Sequence, residues 1–118
     1  MKLQDEDNKP KVKRLVAAII QMRDADAAIH TLNSAGFPVS RMSSSGGFLG
    51  RWNVTILIGI DDGQESQVHK ILTQICRRRI EYVATPIEGS PFHLPLSTPV
   101  TVGGATMFSM KVEHYEEI

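Results

Sequence analysis

Between Asn53 and Ile60 the chain reads NVTILIGI, and this run limits the possible folds more than any other. Its density of β-branched residues selects a strand over a helix. Successive side chains of a strand point to opposite faces, so Ile56 and Ile58 face one way and Leu57 the other. Both parities are apolar, and a strand of that kind needs cover on both sides. The segment just before it, RMSSSGGFLGRW at 41–52, completes a strand, a Gly-rich turn and a return strand. Glycines such as Gly46 and Gly47 uncover the backbone, so a ligand can approach it closely. The alternative is a plain hairpin loop with an incidental apolar tip at Phe48-Leu49.

The rest of the chain supplies partners for that strand. Residues 1–12 are polar, mixed in charge and carry Pro10, and are expected to form a flexible arm. Residues 13–118 are expected to form one domain. Residues 13–21 are short, apolar and β-branched, which predicts a buried strand. Asp24 is a candidate N-cap for a helix over 25–35, with Ala28, Ile29, Leu32 and Ala35 on one face and Gly36 at C′. Residues 38–45 predict a second strand and 53–60 a third. A second helix is expected over 65–76, with Val68, Ile71, Leu72 and Ile75 at helical spacing. Arg77, Arg78 and Arg79 crowd its end, where cations suit the dipole. They read as a solvated helix terminus, with a phosphate clamp as the alternative.

Residues 80–85 predict a fourth strand, and the proline-rich stretch 86–99 a long loop. Residues 100–102 and 105–112, joined by Gly103-Gly104, predict a final strand pair or one kinked strand. The order βαββαβ with a closing hairpin is that of a two-layer α+β sandwich of the ferredoxin-like kind. Helices cover one face of such a sheet. The other face is expected to be buried by copies of the chain, and a charge at a sheet position such as Ile58 to break that assembly.

Composition narrows the functional classes. Thirteen basic and thirteen acidic residues balance, which argues against nucleic-acid binding through bulk charge. Cys76 is the sole cysteine, so neither an internal disulfide nor a cysteine-based zinc site is expected. No apolar run approaches the ~18 residues of a membrane span, and the opening residues lack the apolar core of a signal peptide. A cytoplasmic protein is expected. His30, His69, His93 and His114 have no partner at metal-ligand spacing, and no serine sits in a nucleophile-elbow setting. Neither catalytic residues nor metal ligands are expected.

Two Gly-Gly motifs carry a resemblance. Ser45-Gly46-Gly47-Phe48-Leu49 with Asn53, Thr55 and Gly59, and Val102-Gly103-Gly104-Ala105-Thr106 with Phe108, resemble the motifs of the PII-like cyclic di-AMP receptors. The opening strand ending in Gln21, with Asp24 after it, is similar too. The resemblance covers 13–118. It implies a homotrimer with one ligand in each cleft between neighbours, flanked by the short loop between strands 2 and 3 and the long proline-rich loop. No catalysis and no cofactor other than the nucleotide are implied, and the downstream protein partner is unnamed.

Carried over by motif, the ligand contacts fall on Ser40, Gly47, Phe48, Leu49, Asn53, Gly59 and Phe108. Phe48 or Phe108 can stack on a purine, Asn53 can pair with adenine N6 and N7, and Ser40 can donate to a phosphate oxygen. Two positions depart from the pattern. Pro38 stands where the family usually has an arginine, and Glu117 where it often has a glutamine. Arg41 is expected on the opposite side of the strand from position 38, which leaves Arg51 in the short loop as the candidate cation. The resulting expectation is a cytosolic sensor of cyclic di-AMP or a related adenine nucleotide. The alternative is an oligomeric interaction protein that has lost the ligand.

Overall fold

Alternation in two adjacent strands builds the core. The computed structural model describes residues 12–42, 52–86 and 95–118. In order, the described elements are β1 (Arg14–Gln21), α1 (Met22–Ser34), β2 (Val39–Met42), β3 (Asn53–Ile60), α2 (Glu65–Ile75), β4 (Arg79–Pro86), β5 (Pro95–Val102) and β6 (Ala105–Lys111). Val16, Ala18 and Ile20 of β1 lie on one face beside Val54, Ile56, Ile58 and Ile60 of β3. All are buried, and α1 and α2 cover them with Ala25, Ala28, Leu32, Val68 and Leu72. Each fully buried Ile or Leu contributes about 1.5–3 kcal/mol relative to an exposed one. Ile71 and Ile75 complete the apolar stripe of α2 as partly buried neighbours.

The helix ends show how local chemistry and tertiary contacts divide the work. At the C-terminus of α1, Gly36 adopts φ +94°. Its N–H donates to Asn33, and that of Phe37 donates to Leu32. This is the paired-bond Schellman closure, with Phe37 folded back into the core beside Leu32. The N-terminus departs from expectation. The helix starts at Met22, and Asp24 lies within its first turn rather than capping it. A tertiary contact claims the Asp24 carboxylate instead: Arg79 of β4 donates to it at 2.8 Å.

Two antiparallel sheets result. The larger has the order β2-β3-β1-β6, and β4 and β5 form a separate ribbon. Two helices on one side of an antiparallel sheet are compatible with a ferredoxin-like arrangement. The fourth place in that sheet is held by β6, however, not by the strand after α2. Residues expected as a loop also prove partly extended. Pro86 opposes Pro95, and Pro99 opposes Tyr82, within the β4–β5 ladder. A two-stranded ribbon tolerates prolines because its outward backbone positions need no partner. Residues 87–94, residues 1–11 of the arm expected at 1–12, and the short loop at 43–51 lie outside the described residues, whereas Val12 is described and packs beside Gly59.

The sheet face away from the helices carries Leu15, Ala17 and Ile19 of β1, with Leu57 between β1 and β2. Phe108 and Met110 of β6 continue it and are about half exposed. Ile58 does not lie there. It is fully buried beneath the helices, so a charge at 58 tests folding, and Leu57 is the position that tests assembly.

Candidate functional site

Strand register places the described candidate residues. Ser40 faces Leu57 across β2 and β3, Asn53 opens β3 opposite Gln21, and Phe108 lies opposite Ala17. By parity Ser40, Asn53, Gly59 and Phe108 all belong to the sheet face that the helices leave open. They are not in one place on it. Gly59 and Asn53 are six residues apart on one strand, or roughly 20 Å at ~3.4 Å per residue.

At one end, Ser40 and Gly59 line a groove of about 420 Å³ with Leu15, Pro38, Leu57 and Tyr115. A side chain at Gly59 would come within 2.8 Å of a Val12 methyl and 3.1 Å of the Pro38 ring. Close packing of these two residues therefore accounts for the glycine without any ligand. Pro38 shares the groove with Ser40, while Arg41 is turned to the helix side, where its guanidinium meets Asp26 at 2.9 Å. Positions 38 and 41 thus lie on opposite faces, as expected.

At the other end, Asn53 lines a cavity of about 270 Å³ with Gln21, Arg78, Gly103, Gly104 and Thr106. The Gly-Gly turn is built into the wall of this cavity by two constraints. Gly103 and Gly104 have φ of +93° and +96°, a region that side-chain-bearing residues avoid. A Cβ on Gly103 would also stand 2.1 Å from the Arg77 carbonyl oxygen. The Gly103 N–H donates to Gln21 Oε1 at 2.8 Å, and that of Gly104 donates to the Cys76 carbonyl. The turn thus joins the end of β1, the end of α2 and the start of β6. The sequence motif and the cavity share a single physical cause.

The three arginines after α2 separate into different roles. Arg79 binds Asp24 and Glu81, and also donates to the Arg77 carbonyl at 3.0 Å. Its hydrogen bond to Asp24 raises its pKa above the ordinary value. Arg23 of α1 reaches Glu81 as well, so four charged side chains tie the ribbon's root to α1. Asp24 is buried, and its second oxygen has no hydrogen-bond partner among the described residues. Arg78, by contrast, is exposed at the cavity. Reading the triplet as one solvated helix end therefore fits the exposed Arg77 and Arg78 but not Arg79, which is committed to Asp24 and Glu81. Their separation depends on the chain's turn into β4, which leaves no mark in a run of identical residues.

The sequence profile described as the cyclic-di-AMP receptor matches residues 13–118. The chain belongs to the cyclic-di-AMP receptor family. That family is one of receptors rather than catalysts. A solved structure with a similar fold is a functionally unknown protein from Pediococcus pentosaceus ATCC 25745. It is 28% identical, covers 92% of this chain and 100% of its own, and superposes with a TM-score of 0.69.

In this member of the cyclic-di-AMP receptor family, Gly47, Phe48, Leu49 and Arg51 lie outside the described residues. Glu117 is exposed in the segment after β6. Cys76 is buried at the end of α2. Burial, followed by the nearby Asp24 charge, pushes its thiol up to about 11, against a smaller opposing effect of Arg79. It is a packing residue, inert as a thiolate. Among the described residues no group of three His, Cys, Asp or Glu side chains could hold a metal ion. None of their helices is long and apolar enough to cross a membrane.

Proposed function

We propose that this protein senses cyclic di-AMP or a related adenine nucleotide. The ligand is bound in clefts between the subunits of a homotrimer, and the response is a rearrangement of the segments around the cleft. Membership of the receptor family carries the reading. The divided open face supports the intersubunit cleft: Ser40 and Gly59 are too far from Asn53 to hold a small ligand together on one copy. A neighbour that lays its Ser40 end against the Asn53 end brings both sets to one nucleotide. Leu15, Leu57, Phe108 and Met110 supply the apolar area that such a contact buries. Asn53 reads the adenine, and Phe108 stacks on it or packs the interface. Gly47, Phe48, Leu49 and Arg51 contribute from the short loop.

A second reading has its own support. None of the described residues lining the Ser40 groove is charged, and Pro38 occupies the place of the family's usual arginine. With Glu117 in addition, the chain has fewer charges favourable to an anion. An oligomeric interaction protein without nucleotide binding fits these features.

Calorimetry and thermal melting against cyclic di-AMP, ATP, ADP and AMP separate the two. At a hundredfold excess over Kd, a ligand adds about 2.7 kcal/mol of stability. The melting temperature should then rise by roughly 6–15 °C at this chain length. Asn53→Ala should remove the shift and leave the unliganded assembly intact. Absence of any shift at millimolar nucleotide refutes the sensor reading in favour of the interaction protein.

A further inference from the structure

Arg78 stands apart in the cavity that holds Asn53. It is the one charged group among the described residues lining that cavity. It makes no ion pair or hydrogen bond with another described residue, whereas Arg79, next to it in sequence, is committed to Asp24 and Glu81. Its surroundings are neutral hydrogen-bonding groups. Gln21 uses its carbonyl oxygen on the Gly103 N–H, which leaves its amide N–H groups as donors toward the cavity. Thr106 adds a hydroxyl, and no carboxylate is among the described residues of the wall. A guanidinium without a counter-ion, set among donors, favours a phosphate oxygen.

We infer that Arg78 is the anion-binding residue of the nucleotide site, holding a phosphate of the ligand whose adenine meets Asn53. The inference rests on the sensor reading above and gives it a second consequence. Arg78 lies in the short link between α2 and β4, immediately before the arginine that ties β4 to Asp24. A ligand that holds Arg78 therefore acts on the root of the β4–β5 ribbon. The backbone carbonyl of Arg77 in the same link accepts from Arg79 at 3.0 Å. The cation missing at position 38 is replaced at the far end of the open face.

The test is calorimetric titration of cyclic di-AMP into the full chain, with wild type, Arg78→Gln and Arg78→Lys compared over a salt series. Arg78→Gln should weaken binding by about tenfold to a hundredfold, the effect of losing one charge-assisted hydrogen bond. It should also flatten the decline of affinity with salt. Arg78→Lys should keep that salt dependence, because the charge remains. The melting temperature without ligand should change little in both, as Arg78 makes no hydrogen bond or ion pair with another described residue. An Arg78→Gln protein with wild-type affinity and salt dependence overturns this inference alone. Wild-type protein that binds none of the adenine nucleotides overturns the sensor reading and this inference together.

Discussion

Replacing Gly103 by alanine tests the architecture on which both the cavity and the ribbon root depend. Two costs combine. The first is conformational: an alanine forced to φ near +93° loses about 1–2 kcal/mol to steric crowding. The second is a collision, because the new methyl would stand 2.1 Å from the Arg77 carbonyl oxygen. One of the two must retreat by about 1 Å to reach even the closest separations found in proteins. The Arg77 oxygen is not free to do so, since Arg79 donates to it at 3.0 Å. Overpacking of this kind adds about 1–3 kcal/mol.

Gly36 isolates the first cost. Its φ is +94°, yet nothing lies within 4 Å of its added methyl. Gly36→Ala should therefore lower the melting temperature by roughly 3–10 °C, and Gly103→Ala by roughly 8–20 °C. Gly104→Ala should behave like Gly36→Ala, because its methyl meets only the Arg78 side chain at 3.4 Å. Far-UV circular dichroism melts at one protein concentration and without nucleotide provide the comparison. If Gly103→Ala is no worse than Gly36→Ala, the close approach of the turn to Arg77 is wrong. The proposed role of the ribbon root then loses its basis.

Two further outcomes follow from burial. Leu57→Asp should yield a folded protein of lower mass by light scattering, whereas Ile58→Asp should fail to fold, because its carboxylate would be buried without a partner; a trimeric Leu57→Asp protein refutes the proposed interface. Cys76 should resist alkylation at pH 8 until the protein unfolds, since a thiol with a pKa of about 11 is ionised there to only about one part in a thousand. Its folded pKa lies above the thiol's ordinary value of 9.0, so the folded state holds the proton more tightly. Its contribution to stability is complete below pH 9 and is lost as pH rises toward 11. Urea melts across that range, compared with Cys76→Ala, should show the difference shrinking with pH.

Much of this architecture is set by short-range pattern. The β-branched run at 53–60 marked β3 as a strand, and Gly36 marked the end of α1 because only a residue tolerant of positive φ closes that helix. The two Gly-Gly motifs were sufficient for the family. Tertiary structure decided which apolar parity of β3 meets the helices, since Ile58 and Leu57 are equally apolar in sequence. It placed β6, not β4, beside β1, and drew the prolines of 95–99 into a ribbon. It also took Asp24 from the cap position to bind Arg79, and left Arg78 at the cavity. These outcomes depend on contacts between residues far apart in the chain. A local pattern records a residue's preference for conformation and burial, but not which distant partner satisfies its charge.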